Sequence, residues 1–311
     1  MKKSLSLILS MILMVSTISI PMNIFASNPN NSDDFALVVK NGVKFTSGIK
    51  GETSRISRGD ALVLGGNVVL RDRSCLQKDN KIYYKPGVSF ETVDLGSGVT
   101  DPSKYTTEFT NDYAIENIKT PVFNDKNLVQ ADDITIINKD VIINSDSYIK
   151  NVNITKVGNL VFDVPAEKTL FVKIDNLTFN GPGTLGRGSV YVNGGGTVYL
   201  QVDNILGDGS KFINYPSNYI PFDTYTLRND NKLVMNVKNS SNSTLTNLLA
   251  EADVYFDNSI TLDGSFKVCG NVIASGDVLY KGTLDTTDKQ FNVIGQVYAP
   301  NGHVSLNRQA R

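Results

Sequence analysis

A six-residue glycine repeat near the end of the chain constrains the fold more than any other feature of the sequence. The repeated glycines are Gly264, Gly270, Gly276 and Gly282. An apolar residue stands two positions after each glycine, namely Phe266, Val272, Val278 and Leu284. Glycine permits the torsions of a corner, and the apolar side chain points inward from a short strand. Three such hexads close one triangular turn of a β-solenoid, so the four apolar side chains are predicted to share one interior.

The same unit recurs beyond this stretch with less regularity. Gly295 and Gly302 repeat it with seven residues from one glycine to the next, and a weaker echo occurs at residues 42–43 and 48–49. An antiparallel sandwich with regularly spaced glycine turns is the alternative architecture. Four glycines in register favour the solenoid.

Most of the remaining chain has the pattern of short strands separated by glycine, asparagine or aspartate. Apolar and polar residues alternate in segments 160–164, 170–174, 198–202 and 233–237, which is the period of a half-buried strand. Asparagine recurs at the breaks, where its short amide tolerates left-handed turns or stacks between layers. One short helix is predicted over residues 244–252, with Ser243 as its cap. We therefore predict an all-β chain, a β-solenoid with an irregular strand-rich N-terminal part and few short helices.

The first residues have the anatomy of a secretory signal. Lys2 and Lys3 form a positive start, residues 5–20 are mainly apolar, and the small residue Ala26 follows Pro21. A membrane-spanning helix is the alternative, but it needs about 20 strongly apolar residues and this run is shorter and contains several Ser and Thr. The sequence predicts cleavage after Ala26 and a secreted or cell-surface location.

The chain then divides by composition. We predict a signal peptide at 1–26, a disordered leader at 27–34, an N-terminal strand-rich region at 35–127, and a β-solenoid region at 128–311 with an insertion at 214–231. The insertion contains Tyr215, Tyr219 and Tyr225. Because tyrosine combines an apolar face with a hydrogen-bonding hydroxyl, these three residues are the candidate ligand-binding residues. Insertions of solenoids often carry binding.

Charge and cysteine content narrow the partners only slightly. Without Lys2 and Lys3 the chain has 28 basic and 31 acidic residues, a net formal charge of −3. That balance gives no electrostatic reason to expect a nucleic acid or an anionic membrane as partner. Cys75 and Cys269 are far apart in sequence, and either a disulfide or a small buried thiol is compatible with the pattern.

Catalytic and cofactor motifs are weak throughout. His303 is the only histidine of the chain, and it lies on a predicted strand without a Gly-x-Ser-x-Gly element elsewhere. The adjacent acids Asp132 and Asp133 point to opposite faces if they lie on one strand, which makes them a poor acid–base pair. The glycine-rich segment 181–188 lacks the Gly-Lys-Ser/Thr ending of a phosphate loop. The remaining carboxylate candidates are Asp203 and Asp208, which flank a loop with the weak calcium-like pattern of residues 207–210. We expect no cofactor and no metal.

Several segments carry a family resemblance. They are residues 35–37, 41–43, 190–194, 263–274 and 295–306, and the most specific is Tyr-Ala-Pro-Asn-Gly at 298–302. Together they resemble exported β-helical surface proteins of Gram-positive bacteria whose function is uncharacterised, similar to choice-of-anchor and pilus-associated domains. The last segment is also similar to the bactofilin repeat, which forms polymers. The resemblance covers about half of the chain after residue 26 and implies a solenoid without a catalytic signature.

Three functions follow as hypotheses. The first is a non-enzymatic cell-surface or structural module associated with a pilus or the cell wall. The second is an adhesin that binds carbohydrate or matrix through the tyrosine-rich insertion. The third is a polysaccharide-active enzyme, because β-solenoids include such enzymes. The expected partners are a cell-wall glycan, a matrix component or a pilus component.

The end of the chain predicts one more contact. If the solenoid continues to Leu306, only residues 307–311 remain to cover its last layer. An open strand edge templates pairing with another chain, so we expect a cap. The sequence predicts either self-association through this C-terminal layer or coverage by the insertion at 214–231.

Overall fold

The computed structural model describes most of the chain after residue 34, and residues 35–311 form one compact unit. The described ranges are 35–46, 59–70, 80–92, 101–113, 123, 127–155, 157–180, 188–207, 209–213, 232–239, 244–264, 266–282 and 293–307. Within these ranges the chain is built from strands and turns, with a single 3₁₀ turn at Pro102–Lys104 and no α-helix. The predicted signal peptide, leader and insertion lie outside the described residues.

The strands form three sheets, which we name A, B and C. Sheet A contains β1 (Phe35–Val39), β3 (Asp60–Val63), β5 (Ile82–Tyr84), β7 (Thr106–Glu108), β8 (Val129–Ala131), β9 (Ile134–Ile136), β11 (Ser147–Ile154), β13 (Thr169–Phe179), β15 (Thr197–Gly207), β17 (Leu233–Val237), β20 (Asp253–Phe256), β23 (Val272–Ala274) and β26 (Val297–Ala299). Sheet B contains β2 (Gly42–Thr46), β4 (Asn67–Leu70), β6 (Ser89–Thr92), β18 (Thr244–Thr246), β21 (Ile260–Gly264), β24 (Val278–Gly282) and β27 (Val304–Asn307). Sheet C contains β10 (Val141–Ile143), β12 (Leu160–Val164), β14 (Val190–Gly194), β16 (Lys211–Ile213), β19 (Leu249–Ala250), β22 (Lys267–Cys269) and β25 (Val293–Ile294).

Every strand pair in these sheets is parallel, and successive strands of the chain move from one sheet to another except for β7, β8 and β9, which all belong to sheet A. Parallel neighbours reached by a crossover through the other sheets are the geometry of a coil. The predicted all-β solenoid fold is therefore confirmed. One apolar cluster fills the space between the three sheets, and along the stack of strands it extends from Ile136 of β9 to Ile82 of β5.

The C-terminal turns of the coil repeat every 18 residues, which equals three hexads. In sheet A, Val254 of β20 pairs with Val272 of β23, and in sheet B, Ile260 of β21 pairs with Val278 of β24. The repeat glycines follow the same spacing, since Gly264 pairs with Gly282. Each hexad thus supplies one side of a turn.

The apolar positions of the hexads face a common interior. Phe266 precedes β22 on the side of sheet C, whereas Val272 and Val278 lie in sheets A and B, and all three side chains are fully buried in the same core cluster. Phe266 stacks on Tyr280 of β24 with ring centroids 5.2 Å apart. This is the arrangement that the hexad spacing predicts, and Leu284 lies outside the described residues.

The helix predicted over residues 244–252 is wrong. The segment forms β18 and β19, joined by a corner at Asn247, which has a φ of 54°. Leu245 and Leu248 are both buried because the corner turns the second strand toward the interior. The leucine spacing that suggests one face of a helix is produced by two sides of the coil.

Asparagine side chains stack from layer to layer where the long strands bend. The Asn176 amide donates to Oδ1 of Asn151 at 3.0 Å, and the Asn204 amide donates to Oδ1 of Asn176 at 3.1 Å. Asp133 ends the row, since its carboxylate accepts from the backbone N–H of Asn151 at 3.1 Å and from the Asn151 amide at 2.8 Å. Each amide uses a donor and an acceptor along the coil axis, so the row satisfies polar groups that the bend would otherwise leave unpaired.

The layers of the coil do not follow the order of the chain. Each layer is marked by its strand of sheet A, and the axial order is β8, β11, β13, β15, β17, β20, β23, β26, β1, β3, β5, β7. β9 lies in the first layer together with β8, since both strands pair with β11. The coil therefore starts near residue 129, runs to the end of the chain, and continues with the N-terminal strands. Strands before and after residue 128 share sheets A and B.

This order bears on the prediction for the C-terminal layer. In sheet A, Leu37 of β1 pairs with Val297 of β26, and in sheet B, Val43 of β2 pairs with Val304 of β27. The last layer is thus covered by the N-terminal strands of the same chain, and the insertion at 214–231 lies outside the described residues. Within one chain this edge is hydrogen-bonded to β1 and β2. Self-association through the C-terminal layer stays a prediction.

Candidate ligand-binding face

The outer surface of sheet A carries a continuous row of side chains, one from each of the ten layers between β8 and β7. Side chains alternate along a strand, so the residues between the buried positions of each strand point away from the core. In axial order these residues, which we name the outward row, are Tyr148, Lys173, Gln201, Asn236, Tyr255, Ile273, Tyr298, Val38, Leu62 and Tyr83. Its first part is mainly polar and its second part mainly apolar.

A tyrosine is fixed at the polar end of the outward row. The Tyr148 hydroxyl donates to Oδ2 of Asp175 at 2.6 Å, and Nζ of Lys173 lies 5.4 Å from the centre of the Tyr148 ring. The hydrogen bond to Asp175 raises the pKa of the Tyr148 hydroxyl, with burial as the second cause. The ring is half-buried, and its contacts with the Asp175 carboxylate and the Lys173 ammonium group fix its orientation.

The next layers place charged side chains, both acidic and basic, beside the same row. Oδ1 of Asp203 lies 3.3 Å from Nζ of Lys238, and both side chains remain partly exposed. Asp175 of β13 and Asp203 of β15 lie side by side in adjacent layers, because the residues that follow them, Asn176 and Asn204, pair with each other. The surface from β11 to β20 thus presents carboxylates and ammonium groups at the spacing of adjacent strands, about 4.8 Å.

Asp257 extends this charged surface into a more buried position. Burial raises the pKa of its carboxyl above the ordinary value, while Lys238 and a hydrogen bond from Asn236 act in the opposite direction. The Oδ1 atom of Asn236 is itself buried and has no hydrogen-bond partner in the part of the chain that the structure describes. This layer therefore has unused hydrogen-bonding capacity at the middle of the row.

We expect the Asp257→Asn variant to be more stable than the parent at neutral pH. Because the folded-state pKa of Asp257 is raised above its unfolded value of 3.8, ionised Asp257 destabilises the folded state at neutral pH. The penalty disappears as the pH falls through the raised folded value toward 3.8, so the advantage of the variant should shrink in that window. Urea unfolding followed by circular dichroism at several pH values measures it, with exposed Asp132→Asn as the control. An equal change in both variants would contradict the assignment.

Aromatic rings form a second element of this face. Phe171 of β13 stacks on Tyr199 of β15 with ring centroids 5.3 Å apart and an angle of 17°, and Phe123 meets the Phe171 edge at 5.8 Å. Burial raises the pKa of the Tyr199 hydroxyl. Phe171 remains partly exposed although it contacts both Tyr199 and Phe123.

The apolar part of the outward row is covered. Val38 and Leu62 are fully buried although they point away from the core, and Tyr298 is 5% exposed. At this end Phe109 and Tyr113 pack against Phe35 with ring centroids 5.7 Å and 6.0 Å apart. The polar stretch of the outward row, from β11 to β20, is accessible at Tyr148, Lys173 and Asn236, whereas Gln201 and Tyr255 are only 8% and 4% exposed.

Among the candidate residues that the structure describes, one is brought into this face. Asp203 belongs to it, whereas Asp133 binds the Asn151 corner and Asp132 is exposed in a turn. The three candidate binding tyrosines, Tyr215, Tyr219 and Tyr225, lie outside the described residues, as do Asp208 and residues 181–187. Their role stays a prediction.

His303 and the cysteines have simple surroundings. Nδ1 of His303 lies 3.0 Å from Oδ1 of Asp277, and the same carboxylate oxygen accepts from the His303 backbone N–H at 3.0 Å. Both side chains are about half exposed at a corner of the coil.

Cys269 is buried in β22. Because Cys75 lies outside the described residues, the pairing of Cys75 with Cys269 stays open.

Within the described ranges, no group of three or more His, Cys, Asp or Glu side chains is placed to hold a metal ion. The same ranges contain no helix of the length and apolarity needed to cross a membrane.

Comparison with known proteins adds no relative. No protein-family model matches the chain, and no match is found among the curated proteins or the solved structures. Any function must therefore be inferred from the coil and from its outer surface.

Proposed function

We propose that the protein is exported and serves outside the cytoplasm as a non-enzymatic surface module whose coil is a rigid spacer. The observation that carries this proposal is the unbroken stack of twelve layers in sheet A. With about 4.8 Å between neighbouring strands, the stack is about 53 Å long. Main-chain hydrogen bonds join each layer to the next, so the coil resists bending and extension. Association with a pilus or the cell wall is the setting that the sequence resemblance implies.

A second function is supported by the polar stretch of the outward row. Tyr148, Lys173 and Asp175 combine an aromatic ring, a cation and a carboxylate, and the same chemistry continues at Asp203 and Lys238. Sugars are recognised by such combinations, because ring faces stack on the apolar side of a pyranose while charged groups bind its hydroxyls. An extended glycan lying along the coil axis would meet successive layers. The second candidate is therefore a carbohydrate-binding adhesin.

Export is tested by expressing the tagged full chain in a Gram-positive host. The expected result is a protein that starts at Ser27 and is removed from intact cells by external protease. The matched control is Leu13→Arg, which interrupts the apolar run that export requires. An intact Met1 in the cytosol of cells that carry the parent chain would overturn the proposed location.

Glycan binding is tested with the folded protein and insoluble peptidoglycan, followed by a panel of soluble polysaccharides. We expect Tyr148→Ala and Lys173→Ala to lower the amount bound at least fivefold. Lys44→Ala, an exposed lysine of β2 in sheet B, should bind like the parent. Equal binding by all variants would exclude this face, and release of new reducing ends would favour a polysaccharide-active enzyme.

A further inference from the structure

One step of the coil differs from all others in sheet A. Neighbouring layers are formed by consecutive turns of the chain, except where β26 meets β1. There Leu37 pairs with Val297 across 260 residues, and the Asn41 amide donates to the Asn301 carbonyl oxygen at 2.7 Å. We name this contact between β1–β2 and β26–β27 the joint.

The joint is an apolar interface with two matching halves. Val39 and Val43 are at most 1% exposed on the N-terminal side, and Ala299 and Val304 are fully buried on the C-terminal side. Separation would expose both halves together with the strand edges that now pair. Each half is therefore complementary to the other half.

Both halves belong to every copy of the chain, so the same contacts can form between two molecules. We propose that the joint is an assembly site at which the N-terminal layers of one copy dock on the C-terminal layer of a second copy, in a reciprocally exchanged dimer. The contacts of the exchanged joint are those already present within one chain, which is the condition for domain swapping. This inference is independent of the proposed function.

The length of the connection between the two ends of the coil favours exchange. β7 and β8 lie at opposite ends of sheet A, eleven layer spacings or about 53 Å apart. The 20 residues from 109 to 128 join them and reach about 66–72 Å when fully extended. Closure within one chain therefore uses roughly three quarters of the full reach of the connection. In two exchanged copies whose coils lie side by side and antiparallel, the end formed by β7 in one coil is next to the end formed by β8 in the other.

The decisive experiment changes the length of this connection in the full chain. Deletion of residues 115–120 leaves 14 residues with a reach of about 46–50 Å, which is shorter than the coil. We expect this variant to refold with parent-like circular dichroism and twice the molar mass of the parent monomer by light scattering. An insertion of eight Gly and Ser residues at the same place is the control and should refold mainly as monomer. Residues 1–34 are common to both variants, so any association that they cause cancels.

A second pair of variants keeps the test decisive if the shortened chain does not fold. Val39→Asp damages the N-terminal half of the joint and Ala299→Asp damages the C-terminal half, and each alone should lose the native joint. Refolded together, the two variants can form one undamaged joint, between the C-terminal layer of the first and the N-terminal layers of the second. Recovery of a complex with one copy of each, captured through a tag on one variant, supports exchange. A folded monomeric deletion variant, or no mixed complex, overturns it.

Discussion

The Val278→Asp variant is expected to lose most of its folded coil at room temperature. Val278 is fully buried in β24, and its neighbours in sheet B are Ile260 and Val304. The substitution removes a burial worth about 1.5–3 kcal/mol and places a carboxylate in the interior, which costs several kcal/mol more. Together these losses approach the total stability of about 5–15 kcal/mol that is typical of a folded domain.

The adjacent residue provides a matched control for this prediction. Leu279 lies on the same strand, points to the opposite face and is partly exposed. We expect Leu279→Asp to lower the free energy of unfolding by about 0.5 kcal/mol, as is usual for surface positions. Urea unfolding followed by near-ultraviolet circular dichroism measures both variants. Comparable losses at 278 and 279 would mean that the inward face of β24 is wrongly assigned.

The hexad region shows when a solenoid can be predicted from sequence. There each side of the coil has six residues, so the 18-residue turn is visible as a simple glycine period. Elsewhere the turns have unequal lengths, since Ser147 pairs with Val172 and Thr169 pairs with Thr197. Insertions at the corners change the length of a turn without changing the interior. The fold class could be predicted for the whole chain, but the register could be predicted only where the corners are uniform.

The joint could not be predicted because its partners are 260 residues apart. The glycine echo at residues 42–43 was visible in the sequence, and in the coil Val43 does continue the ladder of Val278 and Val304. The sequence of one such unit does not determine the layer on which it stacks, because any hexad offers similar strand edges and similar apolar side chains. The order of layers is therefore decided by the connection and by the fit of the side chains, which are properties of the folded chain.

The polar stretch of the outward row was missed for a related reason. Its residues come from turns of different lengths, and only the register of sheet A brings them together. A signal was nevertheless present, because Asp-Asn occurs at 175–176 and again at 203–204 between apolar residues. In both places the asparagine occupies the corner row and the aspartate points outward beside it. The repeated pair marks equivalent positions of adjacent layers.

The second large effect is expected at a glycine where two layers come into close contact. Gly66 lies at the corner between β3 and β4 with a φ of 76°, and a Cβ atom there would overlap the carbonyl oxygen of Asn41 in the neighbouring layer. The Gly66→Ala variant must adopt a left-handed conformation, which costs about 1–2 kcal/mol, and must also separate the two layers. Overpacking of this kind costs about 1–3 kcal/mol more. We expect a total loss of about 2–5 kcal/mol in the free energy of unfolding.

Gly87 separates the two contributions. It has a φ of 94°, but a Cβ atom there would meet nothing within 4 Å. Gly87→Ala therefore carries the backbone strain without the overlap, and because both variants exchange the same residue types, their effects on the unfolded chain cancel. Urea unfolding of both should give a loss of about 1–2 kcal/mol for Gly87→Ala and a clearly larger loss for Gly66→Ala. Equal losses would show that the layers of β1–β2 and β3–β4 are not in contact at this corner. Because β1–β2 also covers the C-terminal layer, such a result would call the order of layers at the joint into question as well.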